Sequence, residues 1–173
     1  MGLAKNQSRF QETVLPQKKQ HHPEQVIHSL ADHWIVKENV QIGYINENFL
    51  LISSYGVYAI FPQEVRGHLN MTPRGFTVEG QHQTPVVQTI QESVKNFEKR
   101  LGIKVQPIVL YKELWESETH NLPLGPARQE WDSGDIKILS WEGLQPYLMS
   151  RVRWYLNWPD LMKICKRLRE MQY

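Results

Sequence analysis

Basic and aromatic side chains lie close together in the last part of the chain. Trp154, Tyr155 and Trp158 stand among several arginine and lysine residues. Aromatic rings stack on the bases of single strands and basic groups contact their phosphates, but the same mixture also forms the strongest contacts of protein interfaces. We therefore predict a surface for DNA or for a protein partner here, with packing of the rings onto the protein's own body as the alternative. The candidate residues are Arg151, Arg153, Trp154, Trp158, Lys163, Lys166, Arg167 and Arg169, together with Lys18 and Lys19 near the other end.

Histidine and cysteine spacing gives no metal-binding pattern. His21 and His22 are adjacent and point apart in regular structure, and His28 and His33 are five residues apart, whereas two ligands on one helix face stand four apart. Cys165 is the only cysteine, which excludes a disulfide framework and a cysteine-rich zinc site. We expect no metal and no small-molecule cofactor, and we expect Cys165 to be a buried apolar residue.

The length and composition indicate one folded domain. The chain has 173 residues, of which 40% are hydrophobic and 22% charged, as in average globular proteins. No apolar run approaches the ~18–20 residues of a membrane span, and the first residues lack the apolar segment of a secretion signal. We therefore expect a cytoplasmic protein that does not bind membranes.

The net charge of +2 hides an uneven distribution. Residues 1–25 carry four basic and two acidic side chains, residues 151–173 carry six and two, and residues 26–150 carry ten and fourteen. Two basic ends therefore flank an acidic body. Residues 1–22 show no apolar periodicity and are predicted to form a flexible tail.

The first predicted elements are a helix and a hairpin. A short helix is expected from Pro23, which suits a first turn. Residues 49–52 form a continuous apolar run, typical of a strand covered on both faces, and a turn joins this run to a second strand at 57–61. Pro62 is expected to end regular pairing or to mark a sheet edge, and a weaker hairpin is predicted over 67–79.

The clearest helix covers residues 85–101. Thr84 is its predicted N-cap, and Gly102 stands where a left-handed C-terminal residue belongs. Its apolar residues are spaced 3, 4, 3 and 4 apart and form one stripe, which consists of Val87, Ile90, Val94, Phe97 and Leu101.

Strands are predicted next at 105–111 and 136–139, separated by a loop over 112–135 with two prolines and six carboxylates. Ser140 is expected to cap a helix that begins near Trp141, and a separate amphipathic helix is expected from Pro159. This order of elements predicts an α/β or α+β layered domain. The apolar stripe of the last helix consists of Leu161, Ile164, Cys165, Leu168 and Met171.

The stretch FLLISSYGVYAIFPQEVRG at residues 49–67 resembles the core hairpin of the nuclease-related domain, a branch of the PD-(D/E)XK restriction-endonuclease-like fold. Pro85 and Gln88 have the spacing that opens the next helix of that family, and the LGI motif at 101–103 leads into an apolar strand, as in the family. The resemblance covers residues 23–148. It implies a mixed sheet flanked by helices over 23–150, with residues 151–173 as an additional amphipathic helical extension.

The resemblance also implies where catalytic residues would stand. Nucleases of this kind hold divalent metals with an Asp on one strand and a Glu on the next, and a Lys two residues after the Glu lies on the same strand face. In this chain those positions are occupied by Asn48, Phe61 and Gln63. Phenylalanine offers no metal ligand and glutamine carries no charge, so we predict a degenerate site that has lost catalysis.

Four other residues are candidates for relocated ligands. Glu24 matches a glutamate of the family in type, Glu47 adjoins Asn48, and Glu64 with Arg66 repeats the two-residue spacing. Glu64 lies three positions after Phe61, which turns it to the other strand face unless a bulge at Pro62 corrects the register. We expect Glu47 and Glu64 to be exposed charges.

Three functions remain open at this point. The first is a non-catalytic nuclease-like binding module, an accessory or subunit in a DNA-processing system, whose basic ends contact DNA more than its degenerate site does. The second is a protein–protein scaffold without nucleic-acid binding, in which the last helix docks on a partner by its apolar stripe. The third is a magnesium-dependent nuclease with relocated ligands.

Overall fold

The computed structural model describes residues 23–28, 30, 34–116, 130–150 and 156–171. The predicted tail at 1–22 and the interior of the predicted loop therefore lie outside the described residues. The elements in chain order are α1 (Pro23–His28), β1 (Ile35–Glu38), β2 (Phe49–Ser53), β3 (Gly56–Thr72), β4 (Gly75–Val78), β5 (Gln81–His82), α2 (Thr84–Leu101), β6 (Val105–Glu116), β7 (Glu130–Ser133), β8 (Ile136–Ser140), α3 (Trp141–Met149) and α4 (Trp158–Met171).

One mixed, open sheet joins all the described strands in the order β1-β2-β3-β6-β8-β7, with β4 and β5 attached to the far part of β3. The first three strands form an antiparallel meander, and β6 and β8 then run parallel to β3. Helix α2 stands in the connection from β5 to β6. The predicted α/β class is therefore confirmed.

Helices cover both faces of the sheet. The side chains of Leu50 and Ile52 belong to a core shared with α2 and α4, whereas Phe49 and Leu51 belong to a core shared with α1 and α3. Successive side chains of a strand point to opposite faces, so a strand buried on both sides must be apolar throughout. This confirms the interpretation of the 49–52 run.

Strand β3 passes through Pro62, although the sequence predicted that regular pairing would end there. The pairing of β2 with β3 stops at Ile60, but β6 remains paired with β3 at Pro62 and beyond. Proline is tolerated here because β3 has lost the neighbour on one side, and a missing N–H on that side breaks no ladder bond. The alternative expectation, that Pro62 marks an edge, is thus closer to the structure.

Helix α2 buries the predicted apolar stripe, and Gly102 follows it with φ 75° in the left-handed region. The N-cap is Gln83 and not Thr84, so that prediction is wrong by one residue. Gln83 is buried, and its Oε1 accepts a hydrogen bond of 2.8 Å from the hydroxyl of Tyr111 on β6. Gln83 is therefore fixed by the core as well as by its place before the helix.

The loop predicted over 112–135 is wrong at both ends. β6 continues to Glu116, and β7 begins at Glu130 and pairs with β8. Leu114 and Trp131 are buried and supply the apolar contacts, while Glu113 and Asp132 point to solvent. The high carboxylate content predicts a loop, but Glu113 and Asp132 lie on the exposed sides of β6 and β7.

Helix α4 packs on the body of the protein. Leu161, Ile164 and Leu168 are buried in the same core as the sheet and α2. The guanidinium of Arg167 donates a hydrogen bond of 2.6 Å to the carbonyl oxygen of Leu101 at the end of α2. The apolar stripe is therefore already covered by this chain, against its proposed use for docking a partner. None of the described helices is long and apolar enough to cross a membrane.

Candidate functional site

Asn48 directly precedes β2, and Phe61 follows the last residue of β3 that pairs with β2. β2 and β3 pair Phe49 with Ile60, and this antiparallel register continued by one residue sets Asn48 opposite Phe61. Both side chains are almost completely buried, with 2% and 1% of their surfaces exposed. The two positions that the resemblance assigns to metal-binding carboxylates are thus adjacent and lie in the protein interior.

The amide of Asn48 is used to hold the preceding loop. Its Nδ2 donates hydrogen bonds of 2.6 Å to the carbonyl oxygen of Val40 and 3.1 Å to that of Ile45. Its Oδ1 is buried and has no hydrogen-bond partner within the described residues. An aspartate could not make these two bonds when ionised, because a carboxylate only accepts.

Gln63 and Phe61 line the same cleft. Gln63 is half-buried, and the cleft has a volume of about 400 Å³. The two-residue spacing correctly predicted that both side chains lie on one strand face. The remaining lining residues come from the loop before β2 and from the first turns of α2, and they are Ile45, Pro85, Val86, Thr89 and Ile90.

The candidates for relocated ligands do not reach this cleft. Glu24, Glu47, Glu64 and Arg66 are all exposed, as expected for Glu47 and Glu64. The register between β3 and β6 shifts by one residue between Gln63 and Arg66, so the irregularity follows Pro62 and is not at it. Across the parts of the chain that the structure describes, no three His, Cys, Asp or Glu side chains come together as a metal site would require.

The outward side of α4 carries the described part of the predicted basic and aromatic surface. Trp158 is 69% exposed and Met162 46%. Lys166 and Arg169 continue the same stripe at helical spacing, and Lys163 lies beside it. We call these five residues the α4 outer face. The stripe from Trp158 to Arg169 is about 16 Å long at 1.5 Å per residue.

The charges of the α4 outer face are only loosely paired. Lys163 lies 4.0 Å from Asp160, and Lys166 lies 3.9 Å from Glu170, and all four side chains are largely exposed. Exposed pairs of this kind contribute little and exchange readily for other partners. The basic groups are therefore accessible to an anionic ligand.

Other predicted binding residues have different placements. Arg167 donates a hydrogen bond to the end of α2, as described above. Cys165, which the sequence predicts to be buried, packs against the core but is only half-buried, because it lies at the border of the apolar stripe. Lys18, Lys19, Arg151, Arg153 and Trp154 lie outside the residues that the structure describes.

The cleft lies beside the first turns of α2, whereas α4 is attached to the end of α2 and to the β2–β3 turn. The segment before α4 is fixed to the β2–β3 turn by a 3.0 Å hydrogen bond from the Leu156 N–H to the Ser54 carbonyl oxygen. Phe61 stands seven residues after Ser54, which corresponds to roughly 23 Å of extended chain. The two features are therefore separate surfaces and must be tested separately.

Two polar clusters were not identified from the sequence. Tyr111 pairs with the core residue Gln83, and burial raises the pKa of its hydroxyl far above the usual range. Lys137 binds Asp132 at 2.5 Å and Glu130 at 2.8 Å; burial opposes its charge, but these carboxylates dominate and raise its pKa. In the sequence, only the position of Lys137 between two apolar residues of a strand indicates that this lysine is partly buried and paired.

Comparison of the chain with protein-family models, with curated proteins and with solved structures finds no match. The interpretation of the site therefore depends on the residues and their geometry.

Proposed function

We propose that this chain is a nuclease-like binding module without catalytic activity of its own, which acts as an accessory protein or subunit in DNA processing. We also propose that its α/β sheet is of the restriction-endonuclease-like class. A mixed sheet with helices on both faces, and a meander followed by a parallel strand, is consistent with it.

One observation carries the proposal. Asn48 and Phe61 stand opposite each other at the positions of the expected carboxylates, and both are buried and engaged in packing or in holding a loop. Neither side chain can supply the negative charge that holds a magnesium ion between substrate and protein. The arrangement supports a scaffold that has been kept while its metal chemistry was replaced by core packing.

The α4 outer face supports nucleic acid as the partner. An exposed tryptophan beside three basic side chains combines a stacking platform with phosphate contacts. The body of the chain carries more acidic than basic residues, so contacts with a polyanion are confined to such basic surfaces. We therefore place the phosphate contacts with DNA at α4 and not in the cleft.

Substitution of surface residues tests DNA binding by α4 better than truncation does, because removal of α4 would also uncover the core. We would titrate fluorescent single-stranded and duplex DNA at several salt concentrations and follow anisotropy. Replacing Lys163, Lys166 and Arg169 together by alanine should weaken binding and reduce the salt slope by about 2 for single strands, at about 0.7 per phosphate contact. The matched control replaces Lys95, Lys99 and Arg100, three exposed basic residues on α2, and should change binding little.

A protein–protein scaffold is the second candidate, and the exposed Trp158 and Met162 favour it. The absence of DNA binding at low salt would leave this candidate ahead. Reproducible magnesium-dependent cleavage that disappears with Glu64→Ala would instead contradict both proposals and support the nuclease with relocated ligands.

A further inference from the structure

The cleft beside Phe61 has the size and lining of a site for a small molecule. Its volume of about 400 Å³ lies within the usual range of about 300–1,000 Å³ for ligand pockets. Its accessible apolar wall comes from Ile45 in the loop before β2 and from Pro85 and Val86 in α2. Phe61 and Ile90, which are only 1% and 2% exposed, form its floor. No ionisable side chain is among the described residues that line it. Its ligand should therefore be uncharged where it enters the cleft.

Gln63 is the polar group of this cleft that has a free hydrogen-bonding capacity. Its half-buried amide makes no hydrogen bond with any described residue, whereas Thr89 already donates to the carbonyl oxygen of Pro85 at 2.9 Å. A primary amide presents one acceptor oxygen and two donor hydrogens side by side. The complementary ligand carries an acceptor and a donor next to each other on one edge.

A nucleobase has both properties that the cleft selects. It is flat, its faces are apolar enough to pack on aliphatic side chains such as those of Ile45 and Val86, and its edge carries adjacent donors and acceptors. Adenine in particular pairs with a glutamine amide through N6 and N7. We propose that the cleft binds one unstacked nucleobase, with adenine preferred, between the apolar walls and the amide of Gln63.

This assignment rests on the proposed function where the base belongs to a DNA strand, and a free nucleoside offers the same edge. The proposed phosphate contacts are made by α4, none of whose described residues lines the cleft.

A methyl-detected NMR titration of the full chain tests the proposal. Ile45 reports from the wall of the cleft and Ile90 from its floor, and adenosine, uridine and a short oligoadenylate are the probes. We expect saturable shifts confined to these methyl groups, with adenosine bound more tightly than uridine. Gln63→Leu, which keeps the size of the side chain, should weaken adenosine binding about tenfold.

A second pair of variants separates filling of the cleft from loss of the fold. Thr89→Trp places a bulky ring at the mouth and should abolish the shifts, whereas Gln88→Trp, at the exposed neighbouring position of α2, should retain them. An absence of saturable shifts with every probe would overturn the assignment. Equal adenosine affinity in wild type and Gln63→Leu would also overturn it, because apolar packing alone would then explain binding.

The two proposals fail in different ways. The triple alanine variant of the α4 outer face should bind adenosine as the wild type does, since none of its substituted residues lines the cleft. Adenosine binding without any DNA binding would refute the proposed function and leave the cleft as a site for a free nucleoside. DNA binding by α4 with an empty cleft would refute the base site alone.

Discussion

Replacing Asn48 by aspartate changes one NH₂ group into an oxygen and restores the acidic residue that the resemblance implies. We expect this change to destabilise the protein strongly at pH 7. The variant loses two donated hydrogen bonds, and it places an unpaired negative charge at a side chain that is only 2% exposed, facing the carbonyl oxygens of Val40 and Ile45. An uncompensated buried charge costs about 3–5 kcal/mol. Asn48→Ala, which loses the bonds without adding charge, should cost about 1–3 kcal/mol.

The free energy of unfolding can be measured by urea denaturation with tryptophan fluorescence. The decrease caused by Asn48→Asp should be a large part of the ~5–15 kcal/mol typical of a domain. Asn46→Asp is the matched control, because Asn46 lies in the same loop but is exposed. Burial raises the pKa of the introduced carboxyl above its unfolded value of about 3.9. The folded variant then holds a proton that the unfolded chain has lost, so its stability should fall as pH rises through this range and recover towards pH 4.

A different result would refute the reasoning. If Asn48→Asp is as stable as the wild type at pH 7, its side chain is not held in the interior as described. If millimolar magnesium stabilises this variant but not Asn46→Asp, the position still faces a cation site. Either outcome would return the catalytic hypothesis to consideration.

Three further expectations follow from the packing. Gly102→Ala should cost more stability in thermal unfolding than Gly80→Ala, although both glycines have a positive φ. A Cβ at 102 would displace Nη1 of Arg167 from the carbonyl oxygen of Leu101, whereas a Cβ at 80 would meet no atom within 4 Å. The cost of Gly102→Ala should therefore be smaller in an Arg167→Ala background. The pKa of Lys137 is raised in the folded protein, so its charged form stabilises the fold below the unfolded pKa of about 10.4, and this stabilisation is lost as pH rises through the higher folded pKa. The melting temperatures of wild type and Lys137→Met should therefore converge above pH 10, and a constant difference would contradict this. Phe61→Ala should cost about 3–5 kcal/mol in urea denaturation, because the ring is 99% buried, and a loss below 1 kcal/mol would show that the ring is not part of the core.

The sequence predicted the elements in which one regular spacing of apolar residues determines the buried face. The stripe of α2, the doubly buried run of β2 and the left-handed Gly102 were all predicted. The path of β3 through Pro62 could not be predicted, because it depends on which neighbour strand is missing at that point. The extension of β6 was missed for a similar reason: Leu114 is buried by tertiary packing, and its acidic neighbours gave the opposite signal.

The site was predicted in part. Strand alternation placed Phe61 and Gln63 on one face, and the structure adds that both line a cleft. The other walls come from Ile45 and from α2, which are distant from Phe61 along the sequence, so no spacing rule could indicate them. The hydrogen bond by which Arg167 holds the end of α2 could not be predicted either, because its acceptor, the carbonyl oxygen of Leu101, lies on another helix.

The attachment of α4 has a consequence for the order of events during synthesis. The core that begins with Val40 is completed by Leu168, more than one hundred residues later, and Arg167 secures the end of α2 only once α4 is present. Contacts of such large sequence separation form late and slow folding. A ribosome translating this chain would therefore carry a sheet with one uncovered apolar flank until the last helix emerges, and this interval is when the nascent protein most needs protection from aggregation.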